Sequence, residues 1–248
     1  MKTILTMTTI PSRLLESETT VLALCEQEFD YLIANIPTVF AKTGELYPKV
    51  PEWFYSDERI VVQRCDDVGP STKIIPTLKW LAEMKIDKGW LIMVDDDIRY
   101  PSNFVNNMVE HSALDRVISC SGFCLDDLGK WIHIKNHGEE AHILENFAGG
   151  TWRIEQLVGM LAAWQFWSRR FKEDEIHLAD DLWMSNYASW LDLKKIVISG
   201  LPDFERLDDH KVDALHTNGG NKRRYKRLIK AFHNRNDNYL DRTWSWLK

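Results

Sequence analysis

The stretch Trp90-Leu91-Ile92-Met93-Val94-Asp95-Asp96-Asp97 decides how the rest of the chain is read. Five apolar residues end abruptly in three consecutive carboxylates. A short uninterrupted apolar run is the pattern of a strand buried on both faces, as in the central sheet of an α/β protein. Open α/β sheets bind ligands in the crevice beyond the carboxyl ends of their strands, so these acids fall where chemistry is expected. Three adjacent carboxylates repel one another and are costly to desolvate; a divalent cation with waters and substrate phosphates relieves both problems. In an extended chain Asp95 and Asp97 point to one side and Asp96 to the other. The structural alternative is an Asp-rich turn ahead of a helix, with Ser102 beyond Pro101 as its cap.

Outward from this strand, the first half of the chain alternates strand and helix. Lys2 to Thr9 reads as a strand, and Ile10-Pro11-Ser12-Arg13 turns into a helix from about Leu14 to Gln27. Tyr31 to Phe40 and Arg59 to Cys65 read as strands. Ser71 or Thr72 can cap a helix that runs to about Met84, with Pro76 tolerated in its first turn. A helix from Pro101 to about Ser112 follows the acids, then strands near Val117 to Phe123 and Trp131 to Ile134. Such alternation predicts a mostly parallel sheet flanked by helices. Later, Val158 to Phe166 fits strand or buried helix, Ala179 to Trp190 reads as a helix led by Asp180-Asp181, and Lys195 to Ser199 as a strand. No repeat or low-complexity linker divides the 248 residues, a length that suits one large domain or two small ones.

Composition narrows the function classes. With 44% hydrophobic and 27% charged residues the chain is that of an ordinary soluble globular protein. A formal net charge of −6 argues against a general nucleic-acid binder. The N-terminal MKTILTMTTIPSR lacks a signal-peptide core, and no apolar stretch reaches the length of a membrane span, so a cytoplasmic setting is expected. Cys25, Cys65, Cys120 and Cys124 form no CxxC pair and are expected as free, largely buried thiols. The 11 tryptophans are mostly expected in the core, although an aromatic excess also suits sugar-binding surfaces.

Three further clusters lie at strand ends. Thr8, Pro11 and Arg13 could hold a base or phosphate through a backbone turn and a guanidinium, or form an ordinary strand-to-helix turn. In Asp66-Asp67-Val68-Gly69-Pro70-Ser71-Thr72-Lys73, Gly69 permits close backbone approach, the following helix start favours an anion, and Lys73 offers a point charge to a phosphate. The pattern is not a Walker loop, and a capped helix with a solvated lysine is the plainer alternative. Asp180-Asp181 could be helix-start acids stabilised by the macrodipole, or could supply a catalytic base to an acceptor hydroxyl. His216, in a polar Gly-rich loop, is a candidate metal or phosphate contact.

Taken in order, TTIPSR, DDVGPSTK, VDDDIRYP, ADDLWMSNY and a histidine in the C-terminal segment resemble a nucleotide-sugar glycosyltransferase of the GT-A type, over about residues 3 to 216. Small glycosyltransferase domains of bacterial polysaccharide clusters and of large algal viruses are similar. The resemblance implies a GT-A, Rossmann-like fold for residues 1–216, with a nucleotide-binding half (1–100) and an acceptor-side half (101–216). It implies a nucleoside-diphosphate sugar, UDP- or GDP-linked, bound with Mn²⁺ or Mg²⁺. The nucleoside would lie near Thr8, Pro11 and Arg13, with its base near Asp66. Lys73 would help hold the nucleotide, and Asp95 and Asp96 would stand on the nucleotide side. Asp97 would be the principal metal ligand, with Asp95 and His216 as further ligands. Asp181 would deprotonate the acceptor hydroxyl, with Asp180 the alternative base. The acceptor would be a glycan or a lipid-linked molecule, facing Gly149-Gly150 and Gly159 to Trp164. The DD pair departs from the commoner late ExD or ED, which leaves the base and the inverting stereochemistry open.

Residues 217–248 form a basic tail in which Lys222, Arg223, Arg224, Lys226, Arg227 and Lys230 interleave with Tyr225, Leu228, Ile229 and Phe232. This predicts an amphipathic helix packed on the domain, solvated by default and able to meet an anionic membrane surface. Three rival functions stand beside the transferase, of which a metal-dependent phosphodiesterase or nuclease would normally add several more histidines or a second acidic strand. A nucleotidyltransferase should carry a Gly-rich signature near the N-terminus, and none is present. A binding module without turnover has no need of Asp180-Asp181.

Overall fold

The computed structural model describes residues 1–125, 131–134, 136–170, 179–199 and 205–207. In chain order the strands are β1 (Lys2–Thr8), β2 (Tyr31–Pro37), β3 (Val39–Phe40), β4 (Glu45–Leu46), β5 (Ile60–Cys65), β6 (Gly89–Met93), β7 (Ile98–Arg99), β8 (Arg116–Ser119), β9 (Gly122–Leu125), β10 (Trp131–His133), β11 (Ile143–Leu144), β12 (Thr151–Arg153), β13 (Lys194–Val197) and β14 (Glu205–Arg206). The helices are α1 (Glu18–Cys25), α2 (Ile75–Glu83), α3 (Phe104–His111), α4 (Met160–Arg170) and α5 (Asp180–Trp190). His216 and the basic tail lie outside the described residues. Among the described residues no helix is long and apolar enough to cross a membrane.

A seven-stranded sheet in the order β13-β8-β12-β6-β1-β2-β5 forms the centre. All neighbours run parallel except β12, which is antiparallel to both β6 and β8. The acid-tipped run is β6, paired in register with β1 from Lys2↔Gly89 to Thr6↔Met93. Its apolar composition follows from that central place, because both faces are covered. Period-two alternation sends Ile4, Leu91 and Met93 into one core layer with Ile75, Leu78 and Leu81 of α2 and Leu182, Trp183 and Tyr187 of α5. Leu5, Ile92 and Val94 enter the opposite layer with Val21 and Leu24 of α1 and Phe104, Val105 and Met108 of α3.

Several boundaries differ from the sequence expectation, each for a local reason. The first helix begins at Glu18, after a 3-10 turn at Pro11–Arg13. The second strand stops at Pro37, which has no N–H to continue a ladder. Neither Ser71 nor Thr72 caps α2: a 3-10 turn covers Ser71–Lys73, and α2 follows with no side-chain cap. The Thr72 hydroxyl instead accepts the Val68 N–H at 2.8 Å and donates to Asp67 Oδ1 at 3.1 Å, closing the loop that Gly69 turns at φ +67°. The run from Val117 to Phe123 is two strands in different sheets, β8 in the central one and β9 in a small antiparallel sheet ordered β10-β9-β11. Val158 to Phe166 resolves into a two-residue turn followed by the start of helix α4 at Met160. The four cysteines are free and partly buried.

Candidate functional site

Strand order reverses beside β1: β2 and β5 follow on one side, and β6 lies on the other. Adjacent carboxyl ends then diverge into loops on opposite faces, leaving a crevice. β1 delivers Thr8 and the Pro11–Arg13 turn to this crevice, and β6 delivers the three acids.

The acids do not share one environment. Extended chain ends at Met93, and Asp96 and Asp97 lie in a turn, so the expected common side for Asp95 and Asp97 is not kept. Asp95 faces the α2 and α5 layer and is ion-paired with Lys73. Asp96 turns into the opposite layer, where it is 2% exposed and meets Arg13 Nη2 at 2.9 Å. Burial pushes its carboxyl up to about 7 against the opposing charge of Arg13. Asp97 remains partly exposed and meets the other terminal nitrogen of Arg13 at 2.7 Å. One guanidinium therefore spans two neighbouring carboxylates. The turn itself is fixed from both sides. The Asp95 N–H donates to the Tyr100 hydroxyl at 2.8 Å, which donates to the Phe147 carbonyl at 2.8 Å. Thr20 Oγ1 donates to the Asp96 carbonyl at 3.0 Å, and the Leu207 N–H to the Asp97 carbonyl at 2.9 Å.

Lys73 is not the solvated lysine of the plainer reading, being 6% exposed. Its main chain is held by a buried polar knot. Thr6 Oγ1 and Asn35 Nδ2 both donate to the Lys73 carbonyl, and Asn35 also donates to Thr77 Oγ1 at 2.8 Å. Burial alone would lower the ammonium's pKa, but the charges of Asp95, Asp180 and Asp181 hold it above the ordinary lysine value.

Helix α5 brings the second acidic segment to the same cation. Trp183 is fully buried and donates its Nε1–H to Ser71 Oγ at 3.0 Å, which ties the first turn of α5 to the turn carrying Lys73. Asp180 is 9% exposed; burial raises its pKa and the charge of Lys73 opposes the rise. Asp181 is more open and accepts the Asn146 N–H at 2.7 Å. Burial and the adjacent Asp180 hold its carboxyl well above the usual range.

Of the other predicted positions, Thr8 is partly buried and donates to the Asn35 carbonyl at 2.9 Å, Pro11 is buried, and Asp66 is exposed near the end of β5. Gly149 and Gly150, expected to face an acceptor, are buried instead. A Cβ at Gly150 would lie 2.3 Å from Asn146 Oδ1 and 2.7 Å from Met93 Cε, so a side chain there would have to displace Asn146 and Met93. In the Gly159 to Trp164 segment, Met160 and Ala163 face the core and Gly159 takes φ +89°. Sequence reasoning missed Asn35, Tyr100, Glu145 and Asn146. Only Asn35 carried a signal, as the one amide within an apolar strand.

The donor set at β6 consists of hard carboxylate oxygens, which suit Mg²⁺ or Mn²⁺. Among the described residues no group of three or more His, Cys, Asp or Glu could hold a metal. Cations of this kind are commonly held by one or two carboxylates with waters and substrate phosphates; Asp95 and Asp97 are the partly exposed acids of the set, ion-paired with Lys73 and Arg13 respectively.

No family model and no curated protein matches the sequence. Solved structures do share its fold. Residues 1–349 of S. aureus TarS align with a TM-score of 0.54 at 13% identity, covering 100% of this chain and 79% of that one. A complex of GalNAc-T7 with UDP, GalNAc and Mn²⁺ aligns at 0.52 and 11%, covering 79% of this chain and 42% of that one. A 4-diphosphocytidyl-2C-methyl-D-erythritol synthase aligns at 0.51 and 10%, covering 86% and 95%. The chain spans 43% of a longer TarS chain and a similar share of GalNAc-T7. With its mostly parallel sheet and flanking helices, this single domain has the GT-A, Rossmann-like fold that these solved structures share.

Proposed function

We propose that the protein is a metal-dependent glycosyltransferase of the cytoplasm that moves a sugar from a nucleoside-diphosphate sugar, UDP- or GDP-linked, to a hydroxyl of a glycan or lipid-linked acceptor, with inversion. The observation that carries this reading is the convergence of Asp95, at the end of β6, and the distant pair Asp180–Asp181 on the buried Lys73 beside the strand-order reversal. The solved structures support a sugar-nucleotide donor, because the TarS and GalNAc-T7 chains were each solved with UDP.

In this reading Asp97 and Asp95 hold Mn²⁺ or Mg²⁺, with His216 as a further ligand. The metal supplies positive charge to the leaving diphosphate. Thr8, Pro11 and Arg13 border the nucleoside, Asp66 its base, and Asp96 keeps Arg13 oriented at the site. Asp181 accepts the proton of the acceptor hydroxyl as its oxygen bonds to the anomeric carbon. The bond from that carbon to the diphosphate oxygen breaks, and the nucleoside diphosphate leaves with the electron pair. Asp181 suits the base role better than Asp180, which is more deeply buried and has Lys73 as its main opposing charge.

The test is a thermal-shift and turnover screen of UDP-, GDP- and dTDP-sugars with and without Mn²⁺. A donor bound by the folded state raises apparent stability by mass action. One donor should raise Tm in a metal-dependent way and release its nucleoside diphosphate when acceptor is added. A chain that binds none of them and releases none is not this enzyme. Likeness to the erythritol synthase favours a second reading, a nucleotidyltransferase. It is separated by its product, since it would release pyrophosphate from a nucleoside triphosphate and a sugar phosphate.

A further inference from the structure

Beside Asp181 the small sheet forms a wall whose chemistry the donor site does not use. Register pairs Trp131 with Leu125 and His133 with Phe123, so these four side chains share one face. On it the Phe123 and Trp131 rings stack with centroids 4.0 Å apart and planes 11° apart, and the His133 ring lies 5.9 Å from Phe123. Phe123 is buried, Trp131 half-buried and His133 exposed. Glu145 follows β11 and points its carboxylate at the same group. Its Oε2 accepts the Ser121 hydroxyl at 2.6 Å and stands 3.8 Å from His133 Nδ1. The next residue, Asn146, is the one whose N–H holds Asp181, and the charge of Glu145 contributes to raising the Asp181 carboxyl.

At 3.8 Å, with His133 exposed, the His133–Glu145 pair contributes little to stability, so folding alone gives no strong reason for the histidine there. A saccharide does match it. A pyranose has an apolar C–H face that packs on an aromatic ring, and hydroxyls that donate to a carboxylate with lone pairs to spare.

We infer that Trp131, His133, Ser121 and Glu145 form the acceptor subsite and that the acceptor is a saccharide. Its apolar face lies against the exposed part of Trp131, one hydroxyl donates to Glu145, and a neighbouring hydroxyl reaches Asp181. The inference rests on the glycosyltransferase reading and narrows its acceptor.

The test is saturation-transfer NMR on the full chain with Mn²⁺ and UDP, GDP or dTDP. The probes are methyl β-D-glucopyranoside, methyl β-D-galactopyranoside and methyl α-D-mannopyranoside, with dodecyl phosphate as a lipid-like probe without sugar. At least one glycoside should show transfer, and dodecyl phosphate should not. Glu145→Gln, which keeps shape but weakens the acceptor oxygen, should lower glycoside affinity about tenfold or more while nucleotide affinity stays within about twofold. His133→Ala, at an exposed position, should weaken the glycoside in the same selective way. In turnover both variants should raise the acceptor KM and leave the donor KM in place. Nucleotide binding without any glycoside signal, or glycoside binding by both variants at parental strength, overturns the subsite. Failure to bind any nucleotide removes the glycosyltransferase reading itself, and the subsite with it.

Discussion

The Lys73 ammonium bonds the Asp95 carboxylate from within the protein, with Asp180 and Asp181 close enough to hold its charge in place. A cation so enclosed offsets carboxylates from two segments that meet only in the folded chain. Lys73→Met keeps length and removes the charge. Breaking a buried pair by deleting one partner costs about 3–5 kcal/mol, because the surviving charges are left uncompensated. Urea denaturation at pH 7 should show a loss of that size. A loss under about 1 kcal/mol would mean that water already screens these acids.

Asp96 sets a pH dependence. Its folded value of about 7 lies above the roughly 3.9 of an unfolded aspartate, so the folded state holds the proton more tightly. That contribution is complete below about pH 4 and is lost as pH rises through 7. In chelator-treated protein, parental stability should fall between pH 5 and 8 more steeply than that of Asp96→Asn, which has no proton to lose. Equal slopes for the two proteins would contradict the burial of this carboxyl.

Metal affinity should depend on Asp97. Asp97→Asn should weaken Mn²⁺-dependent donor binding by about tenfold or more, since loss of even an outer-shell partner typically costs 10- to 100-fold. The fold should survive, because Asp97 is partly exposed. Calorimetry with and without Mn²⁺ reads this directly, and unchanged metal-dependent affinity removes Asp97 from the ligand set.

Asp181→Asn keeps size but cannot take a proton. Transfer should drop by about 10²- to 10⁴-fold, with donor affinity little changed. Asp180→Asn, run in parallel, identifies the base: the larger fall in kcat marks it, and parental turnover by the Asp181 variant reassigns the role.

Gly150→Ala tests how the base is positioned. The added methyl meets Asn146 Oδ1 and Met93 Cε, an overpacking that typically costs about 1–3 kcal/mol. Asn146 also holds Asp181, so kcat should fall as well, although Gly150 is remote from any substrate in the proposed arrangement. A stability loss with kcat unchanged would show that Asn146 does not transmit the displacement.

The acid-tipped strand was readable from sequence because burial on both faces demands an unbroken apolar run, and β6 obeys that rule. The segments around Thr8, Arg13, Lys73, Asp95 and Asp180 were readable for a related reason: each stands at an element boundary, where polar residues break a pattern. Partners were not readable. That Lys73 is buried depends on Asp95 and Asp180, and nothing near Lys73 in the chain distinguishes it from a solvated helix-start lysine. Glu145 and Asn146 carry no periodic signal, and they gain their place only when β12 turns back beside β6. The two glycines were assigned to a substrate face because sequence shows that a side chain is absent but not which neighbour would fill the space.

β12 has a consequence for motion. Hydrogen-bonded to β6 on one side and β8 on the other, it stitches the strands before and after it into one continuous ladder. Two lobes joined by a hinge can open and shut like jaws, but two lobes that share a central strand cannot part without tearing that ladder. In the proposed arrangement, substrate entry and product escape rely on the loops that rim the crevice, while the strand ends that border it keep their spacing.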